Sequence, residues 1–441
     1  MIALRRRLRR DTAPDAGLTL IEVLVAMTIF GFVATGIALG LTSSMTAALD
    51  NQKRITAASL AAAEIDRVRA IGDPFKVSSV DPGVATGPDN AFTVTTDATW
   101  KTPSGSDSTC GTSGGPLQFK LVKVTVSWNG ARSDVVSNTL IAPSGRINDP
   151  TMGTILVVVK NALGRGAGGV GFTAGTLATS PTDSDGCGYV LKVPPGSYTV
   201  TMNQSGYIDY QQKTSPSKTA DVAAGSSTVY SFQYDKAATF TLAYGTGSPT
   251  LPNNLDTTFI NATYGGAFPP MKVSTTTKQA SLHPYKDGYQ AVAGAYDDNT
   301  CPAPNPTEWS PDTRTTPNKV GALPAPQTAA AGAATSITVP MGTATISSGS
   351  GPFLFAVSQS AAPVPGEPPC ADGAMKYTFG SVIPSSGGSG VKIALPFGTW
   401  QLFSASTATG TQTALTGGRV TITSNGSYVS SSGQLTLDPR A

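Results

Sequence analysis

Residue types able to do chemistry are scarce in this chain. Histidine occurs once, at His283, and cysteine four times, at Cys110, Cys187, Cys301 and Cys370. One histidine excludes zinc sites built on histidine pairs, HExxH helices and di-iron sites. No two cysteines form a CxxC pair, which excludes a zinc ribbon. A serine triad is formally open to His283, but it stands beside Pro284 and no nucleophile elbow is present. Gly164, Gly166 and Gly169 fit GxGxxG, the spacing that cradles a pyrophosphate at a helix start. The residues that follow are threonine-rich and strand-like, so a hairpin is expected. Asp183-Ser184-Asp185-Gly186 and Asp297-Asp298-Asn299 cluster oxygen ligands of the kind calcium takes. Neither run has the downstream glutamate of an EF-hand loop, and solvated turns are expected. The chain is therefore expected to be no enzyme, with no catalytic residue, no metal site and no cofactor.

The most informative single residue is Glu22. Leu18 to Leu41 is an apolar run of 24 residues, and Glu22 is its one charge. At about 1.5 Å per residue such a helix is long enough to cross a bilayer. A carboxylate there is costly unless it is paired or near the interface. Five arginines lie in residues 1–17, and only Lys53 and Arg54 follow within twenty residues of the run. The positive-inside rule then places the N-terminus in the cytoplasm and the bulk outside. A cleaved secretory signal fits poorly, because the run is long, holds Glu22 and ends without a small-residue cleavage site.

Helical character continues past the apolar run. Thr42 to Ile71 contains no glycine or proline, and Gly72-Asp73-Pro74 is a strong stop. Ile55, Ala58, Ala62, Ile65 and Val68 fall at helical spacing and are expected to form the stripe that packs on a soluble domain.

The stretch from Gly17 to Ala26, GLTLIEVLVA, resembles the class III signal of type IV prepilins and type II secretion pseudopilins. That resemblance implies cleavage between Gly17 and Leu18 by a prepilin peptidase, which also N-methylates Leu18. It implies that Glu22, at the fifth mature position, pairs with a neighbouring subunit's N-terminal amine during assembly, giving the buried charge a partner. Leu18 stands where phenylalanine or methionine is commoner. The resemblance covers residues 1–145 or so.

Beyond Pro74 the pattern alternates. Residues 91–100, 119–128 and 135–141 read as strands of a small antiparallel sheet, and Trp100 and Trp128 are expected to fill the space between sheet and helix. After a linker at 143–150 comes an internal repeat. LKVPPGSYTV at 191–200 matches IALPFGTWQL at 393–402, with a weaker copy at 282–292. Modules are expected at 150–237, 238–338 and 339–441. The first resembles the prealbumin-like family of carboxypeptidase regulatory and collagen-adhesin B-type repeats. It does so through the run 182–189, Val193-Pro-Pro-Gly-Ser-Tyr-Thr-Val and Gly206-Tyr207. Some relatives of these repeats carry a lysine–asparagine isopeptide bond, for which Lys160 or Lys192 would be the lysine.

The expected fold class is α+β. A long transmembrane pilin helix (18–72, spanning half 18–41) packs on a small antiparallel sheet (73–149), behind a basic leader (1–17). Tandem all-β sandwich modules follow. Outside the cytoplasm disulfides can form. Three full pairings of the cysteines are possible, and the one joining neighbours in chain order is expected: Cys110–Cys187 with Cys301–Cys370. The 441 residues hold 30 basic and 27 acidic side chains, and the excess of three lies in residues 1–17. The mature part is then neutral, and no nucleic-acid partner is expected.

The function expected is that of a minor type IV pilin, first membrane-inserted and then in a pilus at the cell surface. Its β modules would serve adhesion, partner binding or assembly priming. Expected partners are the prepilin peptidase and N-methyltransferase, other pilin subunits, the assembly machinery, the membrane and an extracellular ligand. The alternatives are a type II secretion pseudopilin and a membrane-anchored binding protein or enzyme.

Overall fold

A computed structural model describes residues 19–441 except 88, 90, 102–106, 113–116, 144–146, 148, 298, 361–362 and 385–389. The chain forms two compact units. One holds the residues up to 98 together with 120–142; the other holds 99–119 together with 143–441.

The first unit is built on α1 (Leu20–Ile71), a helix of 52 residues and hence about 78 Å. Thr19 caps its start, and Gly72, at φ 67° in the left-handed region, ends it by donating its N–H to the Arg69 carbonyl. Asp73 then caps a short 3-10 turn at Pro74–Lys76. The sheet order is β1 (Val80–Thr86), β2 (Phe92–Lys101), β4 (Phe119–Trp128), β5 (Val135–Ile141), with β3 (Asp107–Ser108) paired to β2. Alternation along β4 turns Lys120, Val122, Val124, Val126 and Trp128 inward.

The helix meets this sheet through Ala57, Ala61, Ile65 and Val68. Only Ile65 and Val68 belong to the stripe expected from spacing. Ala58 and Ala62 are exposed, as is Ile55. The buried arc is rotated onto the small side chains of Ala57 and Ala61; Ile55 lies on the outer face, 72% exposed, although its neighbour Arg54 already reaches Ser133 of the sheet domain. Trp128 is in this core, in tilted contact with Phe92 at 5.9 Å. Trp100 is not. It is fully buried in the second unit, where its indole N–H donates to the Tyr189 hydroxyl at 2.9 Å.

In the second unit, β6 (Gly153–Lys160) pairs in parallel with β12 (Ser227–Lys236) and antiparallel with β8 (Cys187–Val193), and β10 (Tyr207–Asp209) borders β12. The opposing sheet is β11 (Ser217–Val222), β9 (Gly196–Met202), β7 (Phe172–Ala174). The Tyr230 hydroxyl lies 2.9 and 3.0 Å from the Tyr198 and Ala220 carbonyls and so fastens one sheet to the other. Burial raises its pKa.

The same plan recurs. β13 (Ala238–Tyr244) pairs antiparallel with β17 (Gln279–Leu282) and in parallel with β19 (Ala334–Val339). Its companion sheet centres on β14 (Asp256–Asn261), with β15 (Gly266–Ala267), β16 (Met271–Lys272) and β18 (Gln290–Ala293). Next, β20 (Gly342–Ile346) pairs antiparallel with both β23 (Val391–Leu395) and β26 (Val420–Ser424). Its companion sheet is β22 (Lys376–Ser381), β21 (Phe353–Ser358), β24 (Gly398–Ala405), β28 (Gln434–Leu437), β27 (Tyr428–Val429), with β25 (Thr413–Ala414) on β24.

The repeated sequence motif is the corner between sheets. The steps β8 to β9, β17 to β18 and β23 to β24 each carry the chain to the opposite sheet. Each corner contains proline, which cannot donate to a ladder and so ends the first strand. The closing strand is parallel in the first two copies and antiparallel in the third. One continuous hydrophobic cluster runs from Ala238 to Leu437, and the first sandwich has its own.

Candidate functional site

The chemistry at the start of α1 comes from two residues. Thr19 is the N-cap, and its hydroxyl accepts from the Glu22 N–H at 3.3 Å. The Glu22 carboxylate accepts from the Thr19 N–H at 3.1 Å and from the Thr19 hydroxyl at 3.0 Å. This reciprocal capping box satisfies helix-end donors and sets a carboxylate at the positive end of the helix dipole. Gly17 and Leu18 lie outside the described residues.

Downstream of Glu22 the helix is apolar all round and nothing within its own unit covers it. Leu20 is 78%, Phe30 74% and Phe32 81% exposed. No 18-residue stretch in its first half is buried, and the helix is long and apolar enough to cross a membrane. Threonines in this half are satisfied locally: Thr28 and Thr35 donate to the carbonyls of Val25 and Gly31, each at 2.8 Å. That keeps their hydroxyls compatible with an apolar surround.

The other sequence candidates have structural occupations. Gly164 and Gly169 take positive φ in the loop leading to strand β7, and no helix follows. A Cβ on Gly166 would lie 2.2 Å from the Asp185 backbone, so that glycine permits the loop to close on the next turn. Asp183 organises that turn by accepting the N–H groups of Asp185 and Cys187 at 3.1 and 2.8 Å. Asp297 accepts from Asn299 and Thr300 at 2.8 and 2.9 Å, while Asp298 lies outside the described residues. Among the described residues no group of three or more His, Cys, Asp or Glu side chains could hold a metal ion. Lys160 and Lys192 are exposed, so neither has the buried setting of an intramolecular crosslink.

His283 is fully buried. Its Nδ1 lies 3.2 Å from the Ile208 carbonyl, and its ring meets Tyr285 edge-on at 4.9 Å. Burial lowers its pKa and keeps it neutral. Cys110 is bonded to Cys187 and Cys301 to Cys370.

A cluster near the C-terminus was not signalled by the sequence. Arg440 is buried and forms a bidentate pair with Asp438, 2.9 Å at each contact, beneath the Trp309 ring. Its guanidinium also reaches the carbonyls of Ser310 and Pro365. Nearby, burial pushes Glu367 up to about 7, against the opposing effect of the Thr399 hydroxyl, which donates to it at 2.7 Å. Asp438 and Arg440 are two residues apart, but the groups they pack against come from segments far apart in the chain.

Comparison with known proteins adds one family match, to the prokaryotic N-terminal methylation motif, over residues 13–38. No curated protein matches the sequence. Among solved structures, the Bacillus anthracis TIE protein aligns at 12% identity and a TM-score of 0.20, covering 74% of this chain and 65% of its own. The Streptococcal ancillary pilin aligns at 12% identity, covering 50% of this chain and 75% of its own, with a TM-score of 0.18. The shaft pilin SpaA of Lactobacillus rhamnosus GG aligns at 11% identity, covering 43% of this chain and 97% of its own, with a TM-score of 0.17. Scores of this size do not establish a shared fold. The amino-terminal segment of this chain carries a prokaryotic N-terminal methylation motif at residues 13–38, running into a long apolar helix.

Proposed function

We propose that this chain is a minor type IV pilin, held in the membrane by the first half of α1 and later assembled into a filament. The observation that carries this reading is the methylation motif at 13–38 on a helix whose leading half is apolar and wholly uncovered. Cleavage between Gly17 and Leu18 would place the new amine one residue before the Thr19 cap. A positive amine is unfavourable at the positive end of a helix dipole, and Glu22 supplies the opposing charge. Methylation leaves that amine cationic. In a filament the Glu22 carboxylate would exchange its contact with Thr19 for a neighbouring subunit's Leu18 amine, which gives the buried charge its partner. Uncovered apolar surface would pass from lipid to the filament core with little change in solvation.

The β modules support a minor rather than a major role, since roughly 300 residues beyond the helix and its sheet would crowd every position of a lattice. Adhesion, partner capture and assembly priming are the roles such a projecting part would serve. The test is mass spectrometry of the N-terminus from the native host, with and without the prepilin peptidase. The expected product is a chain beginning at methylated Leu18, lost when the peptidase is absent. An intact Met1, or a cut beyond Leu41, overturns the reading. A type II secretion pseudopilin would give the same terminus, and recovery of the chain in sheared surface filaments separates the two.

A further inference from the structure

Where the first sandwich meets the second β module there is a cavity of about 660 Å³. Small-molecule sites commonly occupy roughly 300–1,000 Å³. Its lining mixes polar and apolar groups: Asn203, Gln204, Thr214 and Ser281 supply amides and hydroxyls, Ile208 and Ala237 apolar surface, Tyr207 an aromatic ring, and Lys236 the one charge. No carboxylate lines it, which excludes a divalent cation. One lysine is too little charge for a nucleic-acid backbone.

The walls are held before any ligand arrives. The Tyr234 hydroxyl lies 3.0 Å from the Gln204 carbonyl and 2.7 Å from that of Thr214, bracing both sides of the cavity from below. The Ala237 N–H donates to the Gly206 carbonyl at 2.9 Å and ties the rim to the strand carrying Lys236. Tyr207 and Lys236 are partners in the antiparallel register, so both side chains leave the strands on one face, and the Lys236 ammonium end runs beside Gly332. Gly332, at φ +73°, keeps the path of Lys236 open: a Cβ there would lie 2.8 Å from its Cδ. Lys236 has no carboxylate within ion-pair distance among the described residues, and the Tyr207 hydroxyl has no hydrogen bond there.

Hydroxyls and amides in such number match a ligand made of alternating donors and acceptors. An aromatic face suits the C–H side of a pyranose ring, and an unpaired ammonium suits one negative charge on it. We propose that this cavity binds a saccharide bearing a single carboxylate, a uronic-acid type of residue. The site stands independently of how the amino-terminus is processed.

The test uses the full chain in a zwitterionic detergent free of sugar, with methyl β-glucuronide, methyl β-glucoside and inorganic phosphate as probes. Saturation-transfer NMR should show the glucuronide ring protons in contact with protein, and the neutral glucoside bound more weakly. Lys236→Met should weaken the glucuronide about tenfold and leave the glucoside unchanged. Ser205→Trp, a bulky group on the exposed rim, should remove both signals with thermal unfolding unchanged. No transfer to either glycoside from the unaltered chain overturns the proposal. So does transfer that survives Ser205→Trp in a folded protein, or phosphate displacing the glucuronide at equal affinity, which would mark a plain anion site. Were Ser205→Trp to misfold, the glucuronide-to-glucoside ratio and its response to Lys236→Met would still decide the matter.

Discussion

The two halves of α1 share one backbone and differ in what covers them. The leading half is apolar on every face and has no protein against it. The trailing half mixes alanines with charged and polar side chains and buries only Ala57, Ala61, Ile65 and Val68 against the sheet. A helix that is hydrophobic all round belongs in a membrane or a large assembly, whereas a stripe belongs on a domain. The trailing half owes its stability to packing; the leading half needs another medium altogether. The two characters meet between Thr42 and Asp50, where charge first returns.

Breaking each half alone should give opposite results. Trp128→Ala removes the largest side chain packed against the trailing half and should cost about 3–5 kcal/mol, read as a lower unfolding temperature with membrane retention intact. Phe32→Arg should do the reverse. It places a charge mid-span at about 2.5–3.5 kcal/mol of insertion cost, so fractionation should show loss from the membrane while unfolding of the sheet domain in detergent is unchanged. If Phe32→Arg lowered the domain's unfolding temperature, the two halves would not be independent.

Smaller changes sharpen the contrast. Ala61→Leu adds bulk at a fully buried contact and should destabilise by about 1–3 kcal/mol, whereas Ala34→Leu in the uncovered half should leave unfolding unaltered. The smallest expected effect is electrostatic. Glu64, on the trailing half, has its pKa lowered chiefly by the Arg67 hydrogen bond at 2.6 Å, with the Thr96 hydroxyl assisting and partial burial opposing. A lowered folded pKa means the stability is present above the ordinary glutamate range and lost as pH falls through the folded value. Glu64→Gln should remove under about 1 kcal/mol at neutral pH and flatten unfolding temperature against pH below 4.5.

The same contrast shows what sequence can carry. The leading half was legible because its whole composition is the signal, as was the stop at Gly72-Asp73-Pro74. The packing face of the trailing half was only half legible. Alanines occupy nearly every face there, so periodicity could not choose between 57/61 and 58/62, and the sheet's close approach chose. Trp100 looked like Trp128 because both sit in alternating strands; only the tertiary partner, Tyr189, distinguishes them. The proline corners of the repeat were visible because proline marks backbone, whereas the packing of the Asp438–Arg440 pair against Trp309, Ser310 and Pro365, and the Glu367–Thr399 contact, join distant segments and leave no local trace.

The Cys110–Cys187 bond has a mechanical consequence. The chain crosses between its two units three times, near residues 98, 119 and 142, and this bond closes a covalent ring through two of those crossings. A protease cut in the segment 143–149 would leave the modules tethered until the disulfide was reduced. Under tension applied through those modules, load would also pass through the Cys110–Cys187 bond, and the segment 143–149 would not be the only covalent link.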